Sequence, residues 1–285
     1  MRPIFLLYFI SFFQFSDGQD IRSLAKACEV FLSFGTDIIH EDHQIALSDL
    51  ELNETELGAI PRDILDASGD SINAWDLKYH FLELGLDYMQ KILEHPDILN
   101  HKIEDLFWED SFAVSEDSLL YSFVIPENHG GTYQSAIGIL HYRNDKKVYN
   151  DFDALGGTDG NSDGYYTIKQ IKGKSDMYYL LIGGTKTCGS CTSEYIDLVS
   201  MGDHGLENHF SYLIDGYYNS YNGIYISEKS DSLIIREGPG TYDYPCEIES
   251  DEEEINADVY CEFTYVFNGE SYALIEKKVK YEYRN

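Results

Sequence analysis

The sequence predicts an α+β protein in which a helical N-terminal region is followed by an antiparallel all-β domain, arranged as a sandwich, a barrel or a propeller-like array. Two observations predict it. Apolar residues recur with helical spacing in the first part of the chain, whereas short apolar runs separated by turn residues dominate from Phe112 onward. We therefore expect a signal peptide at 1–18, a helical region at 19–110 and the β domain at 111–285.

Two long segments carry the helical pattern, and a short helix is predicted at 61–68, where Pro61 suits the first turn and Gly69 ends it. Apolar residues between Ile21 and Phe34 repeat near the period of a helix. The longer segment runs from Asn73 to His95, because Asn73 is a favourable N-cap and Pro96 stops the helix. Its apolar residues form one predicted stripe, which must pack on another element: Trp75, Tyr79, Leu82, Leu86, Met89 and Leu93.

A meander of three strands between Gly164 and Met201 is predicted to organise the β domain. Its middle segment, MYYLLI from Met177 to Ile182, is an unbroken apolar run of strand length. Such a run indicates a central strand that is buried on both faces. The segment from Gly173 to Asp176 supplies the turn before it, because Gly accepts positive φ and Asp bonds to its own backbone.

Further strands are predicted on both sides of the meander. They cover 119–125, 133–142, 210–214, 224–227, 232–236, 259–267 and 272–281. Asn268-Gly269 predicts a hairpin with a type I′ turn. Two fragments resemble each other, VSEDSLL from Val114 and ISEKSDSLI from Ile226. They indicate either repeated hairpins, as in propeller blades, or the common form of a hairpin with a solvent-exposed edge, and we favour the second interpretation.

The N-terminus has the pattern of an export signal. One Arg precedes an apolar run from Ile4 to Phe13, which fits the core of a signal peptide and is too short to span a bilayer. The small residues Ser16 and Gly18 predict cleavage before Gln19. The sequence therefore predicts a secreted or periplasmic protein with no membrane span after signal cleavage.

The charge balance limits the partners. Acidic residues outnumber basic ones 51 to 20, for a formal net charge of −31. Nucleic acid is excluded as an expected partner, since phosphate binding requires Lys and Arg, and an anionic membrane surface repels such a chain. A basic protein or a metal cation is attracted instead. The most acidic run, from Glu247 to Asp258, is interpreted as a solvated loop.

Export permits disulfides, and four cysteines of the β domain are candidates for them. They are Cys188, Cys191, Cys246 and Cys261, and all three connectivities remain open. Cys28 is left as a free thiol or a cysteine paired between chains. Two alternatives are less favoured. A zinc site of four thiolates is less favoured because Cys246 and Cys261 are fifteen positions apart, and a reactive Cys188–Cys191 pair because it lies between strands and not at a helix N-terminus.

One loop has the pattern of a calcium site. Asp159, Asn161 and Asp163 place oxygens at positions one, three and five, and Gly164 follows at position six. The loop resembles the calcium loops of FG-GAP/VCBS repeats, which lead into a strand. That resemblance implies Ca²⁺ as a ligand and an extracellular β-propeller that binds partners. Thr167 departs from it, because the family usually has Asp there, and an ordinary Asp/Gly turn is the favoured alternative.

A tyrosine-rich segment from Asp215 to Gly223 has the composition of a recognition loop. Tyr217, Tyr218 and Tyr221 are its candidate contacts to a protein or a glycan. No nucleophile elbow, zinc-protease motif, phosphate loop or dinucleotide fingerprint accompanies it.

Together these features predict an exported, non-enzymatic protein that binds a macromolecular partner through an acidic, Tyr-rich β domain. Two alternatives are a secreted glycan hydrolase that uses paired carboxylates and a calcium-stabilised structural module. The general style resembles that of exported bacterial β-rich proteins, a likeness that implies no particular activity.

Overall fold

The structure is a computed structural model, and the residues that it describes are 20–37, 44–46, 48, 60, 65, 71–108, 111–127, 136–152, 164–186, 190–217, 222–239, 241 and 257–283. The chain divides into two compact units. The first comprises Met1–Ser111 with Ile125–Gly130, and the second comprises Phe112–Val124 with Gly131–Asn285.

The first unit contains two α-helices among its described residues. They are α1 (Ile21–Asp37) and α2 (Ala74–Leu93). The short strands β1 (Gln44–Ala46) and β2 (Ser71–Asn73) pair antiparallel, and 3₁₀ helices follow α2 at Ile98–Asn100 and Ile103–Asp105. The two longer predicted helices are therefore confirmed. The short helix predicted at 61–68 is not supported at its one described residue, since Leu65 forms an antiparallel β-bridge with Ile72. The Asn73 cap is also present, since its side chain accepts a 2.8 Å hydrogen bond from the Trp75 backbone N–H.

The predicted apolar stripe of α2 is rotated relative to the buried face that the structure shows. Leu77, Phe81, Tyr88 and Ile92 are buried, whereas Tyr79 is exposed. The buried face is rotated because α1 approaches α2 most closely at Gly85. The predicted stripe was drawn from large apolar side chains and therefore did not include a glycine. A Cβ on Gly85 would lie 2.5 Å from Leu32 Cδ2, so glycine alone lets the two helices meet at this point.

Twelve strands follow in the described part of the chain from Phe112 onward. They are β3 (Phe112–Val114), β4 (Leu120–Pro126), β5 (Ala136–Asn144), β6 (Lys147–Asp151), β7 (Tyr165–Lys172), β8 (Met177–Thr185), β9 (Cys191–Met201), β10 (Leu206–Tyr217), β11 (Gly223–Ile226), β12 (Ser232–Glu237), β13 (Ala257–Phe267) and β14 (Tyr272–Tyr283). This order confirms the α+β class with a mainly β second part. The sequence missed β3 and β6, which are short.

The twelve strands form three consecutive meanders of four strands each. We call them the first sheet (β3–β6), the second sheet (β7–β10) and the third sheet (β11–β14). Neighbouring strands in each sheet are sequential, and the registers of the second and third sheets are antiparallel throughout. The described strands close no barrel.

The second sheet lies between the other two. On strand β8, Tyr179 and Leu181 share an apolar cluster with the first sheet, whereas Tyr178 and Leu180 share one with the third. Successive side chains of a strand point to opposite faces, so β8 is covered on both sides. The prediction of a doubly buried central strand at MYYLLI is confirmed, and Met177 at its start is the partly exposed exception.

The two resembling fragments occupy equivalent places in the first and third sheets. Each forms the first hairpin of its meander. Ser118 and Ser230 sit at the same turn position with φ of 56° and 55°. Ser115 and Ser227 likewise start each turn, and each hydroxyl accepts backbone N–H bonds from the residues that end it. The repeated-hairpin interpretation therefore fits these positions better than the one that the sequence favoured.

The last hairpin is present, but its predicted turn type is wrong. Gly269 has φ of 98°, and Glu270 after it does not have a positive φ. A type I′ turn needs positive φ at both central residues, whereas type II′ needs it only at the first. Asn268 takes the position before the two central residues, where its side chain accepts N–H bonds from Glu270 and Ser271.

Candidate functional site: the connection end of the β unit

The two ends of the three sheets differ. In a four-stranded meander the first and third turns lie at one end, and the middle connection and the link to the next sheet lie at the other. Contacts between turns show that the turn ends of the sheets meet: the Lys147 ammonium donates to the Gly202 carbonyl, and the Lys174 N–H donates to the Gly269 carbonyl over 3.1 Å. We call the opposite side the connection end.

Most of the sequence-predicted site residues belong to a connection of this second kind, whereas Cys261 lies within β13 and Cys191 is the first residue of β9. Asp159, Asn161 and Asp163 lie outside the described residues, in the segment that joins β6 to β7. Also outside them are Cys188, Cys246, Tyr218 and Tyr221, in the segments that join β8 to β9, β12 to β13 and β10 to β11. Tyr217 ends β10, and its side chain is not described. From the order of the strands, all these segments start and end at the connection end of the three sheets.

Gly164 is the described residue of the predicted calcium loop. Its φ is 88°, and a Cβ there would lie 3.0 Å from Gly138 Cα, so only glycine is unstrained at this position. Its carbonyl accepts a hydrogen bond from the Tyr195 hydroxyl. Gly164, at position six of the loop, therefore has the positive φ that is required both by a loop around a bound cation and by an ordinary tight turn. Among the described residues, no group of three His, Cys, Asp or Glu side chains is placed to share a metal ion.

The cysteines fall into two classes. Cys28 of α1 is a free, buried thiol whose Sγ donates to the Gly85 carbonyl at 3.4 Å, and burial raises its pKa well above the usual range. Cys191 and Cys261 are disulfide-bonded. Among the described residues no disulfide partner is shown for either, so the connectivity stays a prediction.

At the connection end, one hydrogen bond joins the second sheet to the third, and another joins two strand ends of the third sheet. The Glu194 carboxylate accepts from the Ile224 N–H at 3.2 Å, and the Asn222 side chain accepts from the Gly238 N–H at 2.7 Å. A single β-bridge connects Gly216 with Thr241. These contacts fix the bases of the connections relative to one another.

The ladder between β9 and β10 brings two of the predicted features together. Cys191 lies directly opposite Tyr217. The connection from β8 to β9 therefore ends beside the residue at which the Tyr-rich connection from β10 to β11 begins. The sequence does not predict this pairing, because 26 positions separate Cys191 from Tyr217.

Carboxylates are half-buried or buried at this end. Burial raises the pKa of Glu194, and the N–H bond from Ile224 partly offsets that effect. Glu237 is buried and accepts from the Tyr212 hydroxyl, whose own pKa is raised by burial and by Glu237. Asp215 accepts from the Ser193 hydroxyl. These acids hold strands together while they add negative charge to the connection end.

A buried acid that the sequence reading missed connects β7, β9 and β10. Asp197 is 4% exposed and accepts hydrogen bonds from Tyr165 Oη at 2.8 Å, from Asn208 Nδ2 at 3.1 Å and from the Ser211 hydroxyl. Three donors satisfy the carboxylate, which is what a buried charge requires. The available signal was an Asp inside the apolar alternation YIDLV.

A serine and a histidine also meet in the second sheet. Ser200 Oγ lies 2.7 Å from His209 Nε2, the distance of a nucleophile and its base. Ser200 is buried, and the His209 ring packs edge-on against Tyr178 at 4.9 Å. Because the ring is held by packing within the sheet, we interpret the pair as a structural contact.

Comparison with known proteins adds no relative: no family model, curated protein or solved structure matches the chain. Within the described residues, none of the helices has both the length and the apolar character needed to cross a membrane.

Proposed function

We propose that this chain is an exported, non-enzymatic binding protein, and that the connection end of its β unit receives a cationic macromolecule, a basic protein in the first place. One observation carries the proposal: the topology attaches the Tyr-rich, cystine and acidic segments to one end of the three sheets, and closes the other end with short turns. Recognition loops on a rigid scaffold are a common design for binding.

The scaffold supports such a role because the bases of the connections are held firmly. The second sheet is packed on both faces, the bond of Glu194 joins it to β11 of the third sheet, and the bond of Asn222 joins the ends of β11 and β12. Loops that start from immobile points lose less conformational entropy on binding than loops on a mobile base.

The charge supports a cationic partner. The segment between β12 and β13 contains the run ESDEEE from Glu249 to Glu254. Glu194, Asp215 and Glu237 add carboxylates at the strand ends from which the connections leave. A concentration of one charge sign at a defined surface raises the association rate of an oppositely charged protein, and salt weakens that effect.

The test compares two triple variants that change the net charge equally. In the first, Glu252→Gln, Glu253→Gln and Glu254→Gln neutralise the acidic run of the connection end. In the matched control, Asp145→Asn, Asp203→Asn and Glu228→Gln neutralise three exposed acids of the turn end. Poly-L-lysine is the probe, and calorimetry at low and physiological salt gives Kd.

We expect the connection-end variant to bind poly-L-lysine at least about fivefold more weakly than the parent protein, a loss of roughly 1 kcal/mol, and the control to change less than about twofold. Equal weakening by both triplets would show that binding follows net charge alone and has no site. Undiminished binding at high salt would also overturn the proposal, because screened contacts cannot produce it.

A further inference from the structure

Strand β14 is a long edge strand. It has 12 residues, as β10 does, about twice the mean strand length, and it is the last strand of the third sheet. Residues 273–279 are exposed, and no described strand pairs with its outer edge. Such an edge presents a row of backbone donors and acceptors to a further strand.

One face of β14 is apolar as well as accessible. Leu274 lies opposite Tyr265, and Val279 lies opposite Cys261. Leu274 and Val279 are therefore on the same face of the third sheet as Tyr265 and Cys261, which is the face that packs on the second sheet. Yet Leu274 is 50% exposed and Val279 is 39% exposed. The apolar face of the third sheet therefore continues along β14 beyond the area that the second sheet covers.

The charge of β14 contrasts with that of the chain. Lys277, Lys278 and Lys280 lie within four positions, in a protein whose acids outnumber its bases 51 to 20. Glu276 lies 2.6 Å from Lys278, and both side chains are about half exposed, so this ion pair is weak and Lys278 can exchange its partner at little cost. Lys280 lies 3.6 Å from Glu262, a largely buried carboxylate that also bonds Arg236 at 2.9 Å and therefore stays paired if Lys280 turns to another acid.

We propose that β14 binds an acidic, extended segment of another protein by strand addition. Backbone hydrogen bonds along the outer edge of β14, which no described strand pairs, would supply affinity. Alternate apolar side chains of the segment would cover Leu274 and Val279, and its acids would meet the lysines. At physiological ionic strength the Debye length is about 8 Å, so the lysines and not the distant net charge decide which segment approaches.

The occupant is not expected to be a second copy of this chain. Edge-to-edge pairing of two β14 strands would bring two lysine trios within a Debye length of each other. Lysines on an exposed edge strand are a known protection against self-pairing. The surface is also separate from the one proposed above: it takes acidic segments, whereas the connection end takes basic ones.

The experiment uses two labelled eight-residue probes, acidic (Val-Glu)4 and basic (Val-Lys)4, with the full mature chain. Fluorescence anisotropy gives Kd, and amide hydrogen exchange locates the bound strand. The variant Lys278→Glu with Lys280→Glu reverses the charge of β14. Its matched control, Lys146→Glu with Lys229→Glu, makes the same change at two exposed turn positions.

We expect (Val-Glu)4 to bind, to protect β14 amides, and to bind about tenfold more weakly to the β14 variant, with less than about a twofold change in the control. Binding of (Val-Lys)4 with equal affinity, equal losses in both variants, or protection away from β14 would overturn the proposal. Sedimentation showing a dimer that the β14 variant alone dissociates would overturn it too, since the edge would then pair with itself.

Discussion

At the scale of the residue, buried polar side chains tie the sheets of the β unit together. Asp197 gathers donors from β7 and β10, and burial, the larger cause, together with the bond to Asp197 raises the pKa of Tyr165. Tyr179 donates to Asp117 at 3.0 Å, which joins the second sheet to the first turn of the first sheet. Each of these groups is satisfied by a partner from another strand or turn, so each helps to determine how the layers align.

His141 of β5 is the exception, and it makes stability depend on pH. It is fully buried, its Nδ1 lies 2.6 Å from Asn150 Oδ1, and Nε2 has no hydrogen-bond partner among the described residues. Burial lowers its pKa to about 4, although the Asn150 bond opposes this. The folded protein keeps the ring neutral while the unfolded chain takes up a proton below about pH 6.5, so stability is lost as the pH falls from about 6.5 to about 4.

We predict that His141→Gln removes this part of the acid sensitivity. Between pH 7 and pH 4, the parent protein should lose up to about 3 kcal/mol more unfolding free energy than the variant, measured by urea titration. Carboxylates titrate in both proteins and cancel in the comparison. Parallel losses in the two proteins would show that His141 does not contribute.

At the scale of the element, the close contact between α1 and α2 depends on Gly85. Phe31 of α1 stacks on Phe81 and Tyr88 of α2, with ring centroids 5.8 and 5.4 Å apart. That geometry requires the helix axes to approach where Leu32 crosses Gly85. The pairing of α1 with α2 is therefore stabilised by close packing at Gly85 as well as by the burial of apolar side chains.

Gly85→Ala tests this contact. Alanine favours the helix by about 1 kcal/mol, but its Cβ would lie 2.5 Å from Leu32 Cδ2 and 3.1 Å from the Leu32 backbone N. Since forced overpacking costs about 1–3 kcal/mol, we predict a net loss of about 1 kcal/mol by thermal unfolding. The exposed substitution Asp87→Ala on the same helix should change stability by less than about 0.5 kcal/mol. A Gly85→Ala variant as stable as the parent would contradict the packing described.

At the scale of the whole molecule, the β unit contains three four-stranded meanders of the same strand order, and its turn end differs from its connection end. The turns are short and similar: Asn144 and Asn268 each accept the N–H groups two and three residues on, and Gly202 takes the corresponding place in the second sheet. The connections differ in length and composition. Variation confined to one end of a repeated scaffold is the arrangement expected of a binding protein.

The sequence predicted those parts of the fold that local chemistry determines. The Asn73 cap and the doubly buried β8 follow from neighbouring residues. Strand β6 was missed because KVYND is short and half-exposed throughout. The contact of Cys191 with Tyr217 and the donors of Asp197 were not predictable, since they depend on strand register between distant segments. The predicted site residues could be assigned to one end only after the sheet order was known.

The most direct measurement of the central claim is amide hydrogen exchange on the protein with and without poly-L-lysine. We predict slower exchange in the connection-end peptides 186–194, 215–224 and 237–258, and unchanged exchange in the turn peptides 143–148, 201–206 and 226–232. Protection of the turn peptides, or uniform protection over both ends, would contradict the assignment of binding to the connection end.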